Sequence, residues 1–280
     1  MNPRPLSQGE RLLLLDIGNT HCHAGIASAN RMLAHTDVRT GDLISGKADS
    51  ILRRWIGRHP VNGAAMCSVV PDATPRAQAL VRSQLGLDPI VLTHRTLRGV
   101  GLDYPKPATI GPDRLANAIA VSHLHPPPVV VVDFGTAVTF DIVNRQGNYV
   151  GGIIAPGLAA MTDYLHEKTA LLPRIRIREI RSAIGRSTEH AMLIGAVHGY
   201  RGLVRGLIHA LRQELKAPDL PVVATGGYAH LIARGVDEIT SVRLNLTLEG
   251  LRLLWQSHHS EPETLAAPVR LPSRSRPTRP

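Results

Sequence analysis

Two short segments, 117 positions apart, repeat one pattern. Leu12-Leu13-Leu14-Leu15-Asp16-Ile17-Gly18-Asn19-Thr20 and Val129-Val130-Val131-Val132-Asp133-Phe134-Gly135-Thr136-Ala137 each run four apolar residues into an acid, then a glycine and a hydroxyl residue. A second strand-like run follows each. An acid that ends a buried strand needs a compensating partner. The free amides and hydroxyl of a tight strand-turn-strand can cup phosphate oxygens, and the carboxylate can hold a cation beside them. A third glycine turn, Val222-Val223-Ala224-Thr225-Gly226-Gly227, points the same way. The repeat therefore predicts an α/β chain of two duplicated halves with a nucleotide cleft between them.

With 280 residues the chain is long enough for two modest domains, each with a core. No apolar run approaches the roughly 18 residues that span a bilayer, and Met1-Asn2-Pro3-Arg4-Pro5 lacks a signal peptide's apolar segment. Cys22 and Cys67 lie in apolar strand-like contexts and read as buried free thiols rather than a disulfide. These features predict a cytoplasmic protein with no membrane association. A net charge of +10 raises the question of nucleic acid. Four of the arginines (Arg270, Arg274, Arg276, Arg279) sit in a Pro- and Ser-rich tail, and no basic stretch interleaves aromatics as a base-stacking platform would. Attraction to an anionic substrate accounts for the charge equally well, so nucleic-acid binding is not expected.

Along the chain, residues 1–10 read as a flexible lead. Residues 11–125 read as one domain: strands at 11–17 and 22–28, a helix at 48–58, a strand at 64–70, a helix at 74–86, a strand at 89–93, a loop at 101–111 and a helix at 112–124. Pro126-Pro127-Pro128 is a stiff spacer. Residues 126–256 restart the pattern, with strands at 129–134, 138–143 and 149–154, a long helix at 188–215, a strand, glycine turn and helix at 221–234, a strand near 240–242 and a helix near 247–256. Residues 257–280 read as a disordered basic tail. Within the long helix, Gly195, Gly199, Gly202 and Gly206 share one face. Each costs about 1 kcal/mol against alanine, so a closely approaching element should offset them, either another part of this chain or the same helix of a second copy.

Gly111-Pro112-Asp113-Arg114 places an acid and an arginine in the first turn of a helix. Asp113 could merely complement the helix dipole, which would lower its pKa. Alternatively, at a cleft edge it could orient a substrate hydroxyl and accept its proton, with Arg114 pairing a carboxylate or phosphate. His21 and His23 alternate on a strand with no third zinc ligand nearby. Neither a nucleophile elbow, a Walker-type loop nor a Gly-x-Gly-x-x-Gly fingerprint is present.

The ordered set over residues 11–256 resembles the type III pantothenate kinases, within the actin/sugar kinase/Hsp70-like ATPase superfamily. The resemblance rests on Asp16-x-Gly18-Asn19-Thr20, Ser68-Val69-Val70-Pro71, Tyr104-x-x-Pro107-x-x-x-Gly111-x-Asp113-Arg114, Asp133-x-Gly135-Thr136-Ala137-x-Thr139, Gly151-Gly152-x-Ile154-x-Pro156-Gly157, Leu172-Pro173, Thr188 and Thr225-Gly226-Gly227. It implies two duplicated ribonuclease H-like (actin-like ATPase) domains around a central cleft, and ATP-dependent phosphorylation of pantothenate, the first step toward coenzyme A. By the same resemblance Asp113 is the general base, and Tyr104, Gly111, Arg114 and Thr188 bind the substrate, Thr188 across a homodimer interface. Asp16, Gly18, Asn19, Thr20, Gly135, Thr136 and Thr139 bind ATP. Asp16 stands near Mg2+, and Asp133 binds K+ or NH4+. The adenine would lie near Gly226 and Gly227. Two other readings on this fold are a related small-molecule kinase or polyphosphate hydrolase, and a non-catalytic accessory protein for transcription.

Overall fold

The computed structural model describes residues 9–259. The expected lead and basic tail fall mostly outside the described residues. β1 (Leu12–Ile17), β2 (His21–Ala27) and β3 (Met32–Arg39) form an antiparallel meander. After α1 (Thr40–Ile44) and α2 (Asp49–Ile56), β4 (Gly63–Ser68) pairs parallel to β1. Then α3 (Ala73–Leu85) leads to β5 (Ile90–Val91), giving a five-stranded sheet in the order β3-β2-β1-β4-β5. β6 (Gly101–Leu102) and α4 (Pro112–Leu124) precede the proline run.

The pattern then recurs. β7 (Val129–Phe134), β8 (Ala137–Val143) and β9 (Asn148–Pro156) form the second meander, followed by α5 (Leu158–Lys168) and the 27-residue α6 (Thr188–Glu214). β10 (Val222–Thr225) pairs parallel to β7, and α7 (Ala229–Ala233), β11 (Ser241–Val242) and α8 (Leu246–His259) complete the described chain. The second sheet runs β11-β10-β7-β8-β9-β6, the first sheet's order with one strand added. Two mixed sheets of one topology are the duplicated ribonuclease H-like halves.

Helices α4 and α8 lie between the sheets. Leu12, Leu14 and Cys67 from one sheet and Val129, Val131, Tyr149 and Val223 from the other share a buried core with Leu115, Ala118 and Ile119 of α4 and Leu251 and Leu254 of α8. The outer face of the first sheet is covered by α1–α3 and that of the second by α6 and α7. The halves also exchange elements across the proline run. β6 joins the second sheet, parallel to β9, while α8 returns to pack on α4, β1 and β4. Among the described residues no helix is long and apolar enough to cross a membrane.

Most expected elements form within a residue or two of their predicted limits. The segment 101–111 contains the short β6 and a 3-10 turn at Pro107–Thr109 rather than loop alone. α8 runs three residues beyond its expected end, so residues 257–259 are helical; His258 Nε2 and the Thr96 carbonyl are 2.7 Å apart. β3, α1 and α5 have no counterpart among the sequence expectations. All four glycines of the α6 stripe are exposed, with no heavy atom within 4 Å of a Cβ built on any of them. Among the described residues, therefore, no neighbour within the chain explains the stripe.

Candidate active site

Each duplicated motif delivers its acid to the end of a central strand, and cross-strand register decides what stands beside it. On the first sheet Asp16 lies between Cys67 of β4 and His23 of β2, and His23 lies opposite Asp37 of β3. The Cys67 thiol donates to Asp16 Oδ1 at 3.3 Å, and His23 Nδ1 sits 2.8 Å from Asp37 Oδ1. On the second sheet Asp133 lies between Thr225 of β10 and Thr139 of β8. The turns after the two acids face each other, with Thr20 Oγ1 and Thr136 Oγ1 3.1 Å apart. The first turn is closed by the Gly18 N–H donating to the His21 carbonyl at 2.9 Å, and braced by Thr40 Oγ1 donating to the Gly18 carbonyl at 2.6 Å.

The third acid arrives from α4. Gly111 is extended before Pro112 opens the helix, and a Cβ on Gly111 would stand 2.5 Å from Asp113 Oδ1. Glycine therefore leaves room for the carboxylate, which accepts the Arg114 N–H at 2.8 Å. The expected lowering of the Asp113 pKa by the helix dipole is overturned. Burial raises it, outweighing the Arg114 amide and guanidinium that pull it down.

Asp16 and Asp133 are raised as well. Burial lifts Asp16 to about 7, reinforced by the charges of Asp113 and Asp133 and opposed by His23 and Cys67. Burial lifts Asp133 to about 6, with the Asn117 amide opposing and Asp113 reinforcing. Asp16 feels the charges of Asp113 and Asp133, and Asp133 that of Asp113, so the three acids belong to one neighbourhood. Gly226, at φ +87°, closes over Asp133; a Cβ there would lie 2.6 Å from Asp133 Oδ1.

Several participants escaped sequence reasoning. Asn117 Nδ2 donates to Asp133 Oδ2 at 3.2 Å, and Thr247 Oγ1 of α8 donates to Asn117 Oδ1 at 2.9 Å. Asp141, fully buried on β8, accepts the Arg114 Nε–H at 2.6 Å, while Arg114 Nη2 donates to the Phe140 carbonyl at 3.0 Å. Arg114 also lies 5.9 Å from the Tyr149 ring centroid, and Tyr149 lies 6.2 Å from that of Tyr104. A lone acid in the apolar run Ala137–Val143 was the available signal for Asp141; nothing local marks Asn117 or Thr247.

Of the other expected residues, Asn19, Gly135 and Thr136 are exposed at the facing turns, and Thr139 is half-buried beside Asp133. Thr188 opens α6, is exposed, and makes no hydrogen bond to the acids within the chain. Cys22 and Cys67 are buried free thiols; burial pushes the Cys22 thiol up to about 12 and the Cys67 thiol well above its usual value.

Half-buried carboxylates that repel one another suit a hard cation, and the exposed amides and hydroxyls beside them suit phosphate oxygens. Among the described residues no three His, Cys, Asp or Glu side chains form a ready metal cage.

The sequence profile of the type III pantothenate kinase family matches residues 12–210. A type III pantothenate kinase of Akkermansia muciniphila is 44% identical over 244 residues, covering 86% of this chain and 96% of that protein. One from Methylacidiphilum infernorum is 40% identical over 245 residues, covering 87% of each. The chain belongs to the type III pantothenate kinase family. Solved structures share its fold at low identity. A Baf family protein from Campylobacter jejuni superposes with a TM-score of 0.56 at 18% identity, covering 88% of this chain and 98% of that one. Lmo2764 of Listeria monocytogenes, a candidate N-acetylmannosamine kinase, gives 0.52 at 10% identity, covering 89% and 100%. Membership of the family agrees with the duplicated halves and the facing turns.

Proposed function

We propose that this chain transfers the γ-phosphoryl group of ATP to the hydroxyl of pantothenate, forming 4'-phosphopantothenate for coenzyme A synthesis in the cytoplasm, with Asp113 as the general base. The convergence of Asp16, Asp113 and Asp133 beside the two facing threonine turns carries this reading. Gly18, Asn19 and Thr20 from one half, and Gly135, Thr136 and Thr139 from the other, hold the triphosphate between them. Asp16 would hold Mg2+ and Asp133 a monovalent cation, K+ or NH4+; bound there, the cations would neutralise charge on the phosphate oxygens. Asp113, raised by burial toward the operating pH, accepts the hydroxyl proton as the new O–P bond forms. Tyr104, Gly111 and Arg114 shape and hold the acceptor end. Enclosure between the halves excludes water, so that the acceptor hydroxyl rather than solvent attacks.

The exposed glycine stripe of α6 supports a homodimer in which Thr188 reaches the acceptor pocket of the partner. Presence of all three acids weighs against a non-catalytic role, and the Tyr104 to Arg114 segment weighs against a different acceptor. The test is a coupled assay with ATP, Mg2+ and pantothenate, with and without K+. Pantothenate-dependent ADP release stimulated by K+ is expected; ADP release indifferent to pantothenate would overturn the assignment.

A further inference from the structure

We propose that Asp141 is the positioning residue for Arg114, fixing the guanidinium so that its remaining nitrogen serves the acceptor substrate. This rests on the assignment of Arg114 to the acceptor pocket and goes beyond it, because Asp141 itself lies wholly beneath the surface.

Four contacts define the arrangement. Arg114 Nε donates to Asp141 Oδ1 at 2.6 Å, and Nη2 donates to the Phe140 carbonyl at 3.0 Å. The guanidinium stands over the Tyr149 ring at 5.9 Å. At Gly152, directly opposite Asp141 on β9, an added Cβ would collide with the Phe140 carbonyl oxygen and with Arg114 Nη2. The strand is thus bare where the guanidinium passes. Of the guanidinium nitrogens, only Nη1 has no hydrogen-bond partner among the described residues.

A purely structural role explains the pair poorly. Asp141 is fully buried and Arg114 nearly so, with side-chain exposures of 0% and 14%. Desolvation of two charges commonly cancels their attraction, so an apolar pair would serve stability as well or better. The pair is also incompletely satisfied, since Asp141 Oδ2 is buried with no hydrogen-bond partner among the described residues, as is the hydroxyl of the neighbouring Tyr149. What the arrangement does secure is orientation. An arginine side chain has many rotamers, and a planar guanidinium anchored at two of its nitrogens has one. The third nitrogen can then meet an anionic acceptor group without further ordering, which lowers the entropic cost of binding.

The test is a double-mutant cycle on steady-state kinetics, with melting temperatures measured in parallel. Asp141→Asn and Asp141→Ala should each raise the pantothenate KM about 10- to 100-fold, leave kcat within about threefold, and leave the ATP KM unmoved. Arg114→Met should raise the pantothenate KM similarly, and Asp141→Asn added to it should bring no further increase. Equal losses for both substrates, or multiplicative losses in the double variant, would overturn the proposal. If the alanine variant fails to fold, the isosteric asparagine carries the same cycle. An unchanged pantothenate KM in Arg114→Met would remove the Arg114 assignment together with this proposal. A raised KM there with no effect of Asp141→Asn would remove this proposal alone.

Discussion

Replacing Asp133 by asparagine should stabilise the metal-free protein at alkaline pH while abolishing its activity. Burial lifts the Asp133 carboxyl from 3.8 to about 6. A carboxyl raised in the folded state favours folding while protonated, and that advantage is lost as pH rises from about 4 through 6. At pH 8 the ionised group therefore costs the fold up to about 3 kcal/mol. Asp133 is only partly buried, so solvent screening reduces this to about 1–2 kcal/mol. The substituted amide would keep an oxygen for Asn117 Nδ2, which now donates to Asp133 Oδ2. For a chain of this size about 2–4 °C of melting temperature accompanies each kcal/mol, giving a gain of about 2–8 °C. Thermal unfolding followed by circular dichroism in chelator-treated buffer, at pH 5 and pH 8, measures it. The gain should be full at pH 8 and smaller at pH 5, vanishing only below about pH 4, where the carboxyl is protonated in the folded and the unfolded chain alike. Added K+ should raise the wild-type melting temperature at pH 8 and leave the variant unmoved. A variant no more stable than wild type at pH 8, or a gain independent of pH, would refute the electrostatic account of this site.

Three other substitutions probe separate links. Gly111→Ala puts a Cβ 2.5 Å from Asp113 Oδ1, so kcat should fall about 100-fold through displacement of the carboxylate; unchanged turnover would show that its placement tolerates such a shift. Gly250→Ala drives a Cβ into the Ala116 carbonyl where α8 crosses α4, and should cost about 2–3 kcal/mol in chemical denaturation, whereas a neutral result would contradict the close crossing. A Cβ on Gly199 meets nothing within 4 Å among the described residues outside its own helix backbone, so Gly199→Arg should halve the mass seen by light scattering without unfolding the protomer; an unaltered mass would count against the stripe as a dimer contact.

The duplicated core was legible because each central strand carries its own motif, and identical patterns imply identical pairing. What depended on distant partners was not. β3 reads Met32-Leu33-Ala34-His35-Thr36-Asp37-Val38-Arg39, nearly all exposed or half-buried, so its weak alternation gives little strand signal. β6 is a strand only because β9, almost fifty residues later, offers it an edge. α5 buries just Leu158 and Thr162, leaving Met161, Tyr164 and Leu165 exposed, too thin an apolar stripe to announce a helix.

At the site the same division holds. Asp16, Asp113 and Asp133 stand in local motifs, so their places at two strand ends and one helix start are readable from those motifs. The Thr247–Asn117–Asp133 chain spans 130 positions and emerges only when α8 folds back onto α4. The direction of the Asp113 pKa escapes the sequence for a related reason. The helix dipole is readable from Pro112 and the first turn, whereas burial depends on everything packed around it.

On the proposed mechanism Asp113 takes the proton from the acceptor hydroxyl while ATP binds independently of it. Asp113→Asn, measured for pantothenate phosphorylation at saturating substrates and for ATP affinity by calorimetry, tests this most directly. A loss of about 100- to 10,000-fold in kcat is expected, with ATP affinity retained within a few fold. Turnover within a few fold of wild type would contradict it.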